Sequence, residues 1–165
     1  MAEGDSENTA EQIPHEDLVS RAYFEIPNEI APESDFPFRY DKTRDERAES
    51  VYWRKYAPLI AEIHSRGCVI EKFKNERRAA ASQVPCKYKG ARTAVVGTLR
   101  SLKTQRCHSF QVIHPPENGD RAHTHIAISP AAGTRVEKIK TNDRIELASL
   151  LIQHFLSFAP HECAK

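Results

Sequence analysis

The chain has only six glycines, one methionine and one tryptophan among its 165 residues, and no run of it approaches a membrane-crossing length of roughly 18 consecutive apolar residues. No membrane partner is expected. It also lacks any G-x-x-x-x-G-K-[ST] or G-x-G-x-x-G run, which leaves no Gly-rich loop to cradle a nucleotide's phosphates. Between Gly67 and Pro116 the only carboxylates are Glu71 and Glu76, too few for paired-carboxylate glycosidase or two-metal chemistry in that stretch. The four cysteines, Cys68, Cys86, Cys107 and Cys163, include no C-x-x-C pair and fit neither a zinc ribbon nor a secreted disulfide framework. They are expected to be free thiols in a reducing compartment. The opening MAEGDSENTAEQ is acidic and polar where a secretory leader would be basic and then apolar, so a cytoplasmic protein is expected.

What the chain does have is 39% hydrophobic and 28% charged residues, enough apolar material for one compact core. Its net charge of +1 hides a strong segregation. Residues 1–50 carry five basic and fourteen acidic groups, whereas residues 66–106 carry eleven basic groups against two acidic ones. Aromatics interleave with the cations, Phe73 in EKFKNERR and Tyr88 in CKYKGAR, as base-stacking surfaces require. This basic segment is the candidate nucleic-acid interface: Lys72, Lys74, Arg77, Arg78, Lys87, Tyr88, Lys89, Arg92, Arg100, Lys103 and Arg106.

The pattern predicts an α+β fold, a four-stranded antiparallel sheet flanked by an N-terminal and a C-terminal helix. Residues 1–42, acidic and dotted with Pro14, Pro27, Pro32 and Pro37, read as a disordered arm with a short helix near His15 to Phe24. Phe36, Phe38 and Tyr40 are expected to dock part of it on the single domain at 43–165. A first helix is predicted from Thr43 or Asp45, with Val51, Tyr52, Tyr56, Leu59, Ile60 and Ile63 on one face and Gly67 closing it. Pro58 kinks that helix or opens a second one. Strands are predicted at Cys68 to Phe73, Arg92 to Leu102, Cys107 to His114 and Ala122 to Ser129. A last helix starts near Thr141 to Asp143 and stops before Pro160.

Pro-Pro and Asn-Gly place a loop between the last two predicted strands, making them an antiparallel hairpin. Pairing Val112 with Thr124 and Phe110 with Ile126 keeps the apolar side chains together and sets Gln111 opposite His125. His123 and His125 then share a face and are candidate ligands for a divalent metal, with His114 or Gln111 as the third. The His-x-His pattern on such a strand, with a ligand from the adjoining strand, resembles the metal site of the HUH endonucleases, the relaxases and rolling-circle initiators. That resemblance implies a three-histidine set of His114, His123 and His125. It also implies attack on a phosphodiester by a helix-borne tyrosine, Tyr52 or Tyr56 here.

Three functions are therefore in view. The first is binding rather than catalysis: the basic segment engages nucleic acid or an acidic protein, needs no cofactor, and the acidic arm competes for the same surface. The second is metal-dependent DNA nicking through the histidines and a tyrosine. The third is a protein-interaction module, an inhibitor or effector, whose DFPFRY run folds against a partner.

Overall fold

A computed structural model describes residues 10–27, 35–115 and 119–164. In chain order its elements are β1 (Leu18–Glu25), β2 (Tyr40–Asp41), β3 (Glu46–Trp53), α1 (Ile60–Ala80), β4 (Lys87–Val95), α2 (Val96–Arg100), β5 (Ser109–Ile113), β6 (His123–Ser129), a 3-10 turn (Val136–Lys138), α3 (Thr141–His154) and β7 (Ser157–Pro160). The fold is α+β as expected, but the sheet has seven strands in place of four, ordered β5-β6-β3-β1-β4-β7 with β2 paired to β3. Every strand pairing among the described residues is antiparallel.

The centre of the sheet is β1, drawn from the stretch read as a flexible arm. It pairs with β4 along its whole length and with β3 at Val19↔Trp53 and Ser20↔Tyr52. Beyond Ser20 the β1 and β3 strands part, and Arg21 bridges the gap. Its guanidinium donates to Ser50 O at 2.7 Å, to Glu49 at 3.1 Å and to Asp35 O, and covers the Phe36 ring. That strut holds the 35–38 segment on the sheet, where Phe36 and Phe38 are buried as the aromatic run suggested. Residues 1–9 and 28–34 of the expected arm lie outside the described residues.

The predicted first helix is replaced by β3, a turn and α1. In β3, Val51 and Trp53 face one core and Tyr52 the other, so three successive residues are buried and the period of two disappears. Pro58 lies just ahead of α1 and its N-cap Leu59, neither kinking a helix nor standing in the first turn of one. The Glu62 carboxylate accepts the Leu59 N–H at 2.9 Å, half of a capping box at the helix start. Cys68 to Phe73 is helical, not a strand. Its β-branched residues sit in the middle of a 21-residue helix whose lysines, arginines, glutamates and alanines favour helix. Gly67 does not end the helix. Ring carbons of Tyr88 occupy the space a Cβ would fill, so glycine lets α1 approach β4 closely. The predicted strand at 92–102 is β4 ending at Val95, then the short α2. β7 follows α3 as an edge strand beyond β4.

Two layers result. α2 and α3 cover one face over a large core that includes Val19, Phe38, Trp53, Val96, Leu99, Phe110, Ile126, Leu147 and Leu151. α1 covers the other face over β1 and β4, with a smaller core of Tyr52, Ala57, Ile63, Ala91 and Ala122. The expectation of four free thiols is corrected: Cys68 on α1 and Cys163 in the C-terminal tail form a disulfide across 95 residues, while Cys86 and Cys107 are free. Closing so long a loop is worth about 4–5 kcal/mol by chain entropy. No helix among the described residues is long and apolar enough to cross a membrane.

Candidate functional site

The structure divides the eleven-residue basic segment between the two faces of the sheet. Lys72, Lys74, Arg77 and Arg78 lie on the C-terminal half of α1. Lys72 and Arg77 are exposed and make no ion pair among the described residues, and between them Phe73 is 59% exposed. Lys74 covers the Phe24 ring, and burial holds its pKa below the usual lysine range. The Arg78 guanidinium donates to Val84 O, tying the last turn of α1 to the loop that follows it. On the neighbouring β4, Lys87 pairs with Glu162 at 2.9 Å and Lys89 with Glu25 at 3.6 Å. Arg92 stacks 4.2 Å over the Tyr23 ring.

Tyr88 does not join this surface. It is fully buried beneath Gly67, its hydroxyl sits 2.8 Å from His64 Nδ1, and burial pushes the phenol well above its ordinary pKa. Arg100 is also structural: it donates to Ile13 O at 2.7 Å and Val112 O at 2.9 Å, tying the N-terminal segment to β5. Lys103 is exposed beside β5, and Arg106 lies 3.6 Å from Asp143 on α3. These three belong to the α2–α3 side, across the sheet from α1. Adjacency along the chain did not become one surface because β4 runs between the two groups and the chain then crosses to the other face.

The acidic N-terminal residues are mostly engaged elsewhere. Glu11 contacts Lys55, Tyr56 and Arg121, Asp17 accepts the Trp53 indole N–H, and Glu49 pairs with Arg21. Glu25 pairs with Lys89 of the basic segment, and Asp35 lies near enough to Arg92 to feel its charge.

In the histidine hairpin the faces are as expected and the register is not. Val112 pairs with Ile126 and Phe110 with Ile128, two residues from the expected register, so Gln111 opposes Ala127 and His125 opposes Ile113. A slip of two preserves which side chains share a face. His123 and His125 do share one, with ring centroids 5.0 Å apart. His123 Nδ1 lies 3.2 Å from Pro115 O and its Nε2 3.1 Å from Ser50 Oγ. A carbonyl only accepts, so Nδ1 donates to Pro115 O. His125 is buried, with Glu46 Oε1 3.0 Å from Nδ1 but off the line of a hydrogen bond and Arg44 3.5 Å from Nε2. Burial first, then His123 and Arg44, push its pKa down to about 4, so it is neutral at pH 7.

His114 is on the opposite face. It packs 5.0 Å from the Trp53 ring, donates from Nε2 to Arg121 O and accepts the Glu11 N–H at Nδ1. The three histidines expected as a metal set are therefore separated by the sheet, and Gln111 points into solvent opposite Ala127. With Cys68 and Cys163 bonded to each other, no group of three or more His, Cys, Asp or Glu among the described residues is arranged to hold a metal ion. The tyrosines are not helix-borne: Tyr52 is in β3 and Tyr56 in the turn after it, hydrogen-bonded to Glu11 and Arg121.

A further cluster escaped sequence reasoning. His64 and His161 stack face to face at 4.3 Å beside the Cys68–Cys163 disulfide. Its signal in the sequence, a His and a Cys four residues apart, is lost when a helix is ended at Gly67. No protein-family model matches the chain, and no match emerges among curated proteins or solved structures.

Proposed function

We propose that the protein acts by binding, and that the C-terminal half of α1 is the surface that meets an anionic polymer, nucleic acid first. One observation carries the reading: Phe73 stands exposed one helical turn from Val69 and from Arg77, with Lys72 beside it. A large aromatic left in water between two cations with no ion pair suits base stacking with phosphate contacts on either side. The footprint is smaller than the linear charge count suggested, since Tyr88 and Arg100 are committed to the fold and Lys103 and Arg106 lie across the sheet.

The test is a titration of labelled single-stranded RNA, single-stranded DNA and duplex DNA at about 50 and 200 mM salt. Three or so phosphate contacts should weaken binding roughly tenfold to fiftyfold between the two. Lys72→Glu with Arg77→Glu should abolish binding, and Phe73→Ala should weaken single-strand binding by about 1–3 kcal/mol. Absence of binding at the lower salt, or binding indifferent to these changes, rejects the reading. Capture of an acidic protein by the same face with no nucleic-acid binding would replace the polymer with a protein partner.

A further inference from the structure

A concentration of soft ligand atoms lies between α1 and the C-terminal tail. A cleft of about 740 Å³ there is lined by His64, Cys68, His161 and Cys163. His64 and Cys68 are one turn apart on α1, so they project from the same helix face. His161 and Cys163 are two residues apart in the tail after β7, which in extended chain sets them on one side. The two pairs meet: the imidazole rings stack 4.3 Å apart, and the cysteine Cα atoms are 5.6 Å apart.

We propose that these four residues form a redox-gated transition-metal site, closed as a disulfide and, after reduction, able to hold one Zn²⁺-class ion through two thiolates and two imidazoles. Two Cys and two His make a four-donor set of the kind structural zinc prefers. At a Zn–S distance of about 2.3 Å and tetrahedral angles the two sulfurs stand roughly 3.8 Å apart, a small opening from the bonded pair. His64 is already oriented. Its Nδ1 lies 2.8 Å from the hydroxyl of Tyr88, a buried neutral phenol wedged against Gly67. A proton on Nδ1 donated to that oxygen leaves Nε2 for the metal, the outer-shell arrangement that metal-binding histidines use. The stacked rings must open, since parallel rings do not aim at one point. His161 is the ring that must turn: it is exposed in the tail, and its backbone is held in place by its N–H to Lys89 O at 3.0 Å.

The chemistry balances with a dithiol reductant. It delivers two electrons and two protons to the Cys68–Cys163 bond, yielding two thiols and its own disulfide. The metal ion then displaces both thiol protons as the two metal–sulfur bonds form.

The experiment uses the full chain, oxidised or reduced with a phosphine, titrated anaerobically with Co²⁺. Reduced protein should bind one Co²⁺, with the intense visible bands of tetrahedral cobalt and sulfur-to-cobalt charge transfer, and Zn²⁺ should displace it. The oxidised protein should show neither band. His64→Ala and His161→Ala keep the disulfide and should each weaken Co²⁺ binding at least tenfold. Absence of binding by the reduced chain overturns the proposal, as does equal binding by the double variant Cys68→Ser with Cys163→Ser, which would place the metal on Cys86 or Cys107. Should reduction unfold the chain, recovery of its circular dichroism by Zn²⁺ supports the site and failure to recover overturns it.

Discussion

The two faces of the sheet are built differently. On the α2–α3 side the side chains are large and interlocked: Phe36, Phe38, Phe110 and Phe155 form a continuous aromatic run, and Trp53, Leu147 and Leu151 are sealed from water. On the α1 side two buried tyrosines, Tyr52 and Tyr88, sit among small or polar residues, Ala57, Ala91, Ala122, Ser20 and Thr93, and only Ile63 and Gly67 of the helix's 21 residues are buried. Cross-links supply what apolar burial does not: the disulfide, and Arg66 on α1, which is paired with Asp120 and lies over the Tyr52 ring. The first face holds the fold by apolar burial, and the second leaves its helix and its polar groups open to solvent and to chemistry. Both proposals, the cationic stripe and the metal site, accordingly involve α1.

That contrast can be broken by substitution. Leu147→Ala on the crowded face should cost about 3–5 kcal/mol in urea unfolding, because a sealed site leaves a cavity, while Ile63→Ala beneath α1 should cost about 2–3 kcal/mol. Equal losses would mean the two faces are packed alike. Gly67→Ala sets about 1 kcal/mol of helix propensity against overlap with the buried Tyr88 ring. Overlap should win, for a net loss of about 1–2 kcal/mol in thermal or urea unfolding, and a net gain would show that α1 is free to lift.

The open end of the α1 face should be sensitive to pH. His125 has a folded pKa of about 4 against an ordinary 6.5, so between those values the unfolded chain takes up the proton that the folded one refuses. Stability from this residue is complete above pH 6.5 and declines as pH falls towards 4, by about 1–3 kcal/mol. Melting curves at pH 7 and pH 5 should show a smaller difference for His125→Gln than for the native chain, and an unchanged difference would place the proton uptake elsewhere. The smallest effect belongs to the exposed Lys87–Glu162 pair, where Lys87→Ala should leave the unfolding midpoint essentially unchanged. A larger loss in unfolding would show that this pair, too, fastens the tail to β4.

The hairpin of β5 and β6 and the helix α3 were legible because each has one buried and one solvated side, so its period survives in the residues. Even there the register slipped by two, a shift that keeps every side chain on its own face and so leaves no trace in a period of two. β1 was not legible, because its Ser20 and Arg21 are satisfied by Thr93, Ser50 and Glu49, partners far away in the chain.

Composition and local period thus settle the class of the fold, its hairpin faces, its last helix and the absence of a membrane-crossing helix among the described residues, since each depends on neighbours within a few positions. Which cations share a surface, which histidines meet, and that Cys68 finds Cys163 depend on where the chain crosses the sheet. That path is set by long-range packing, which no short window of residues contains.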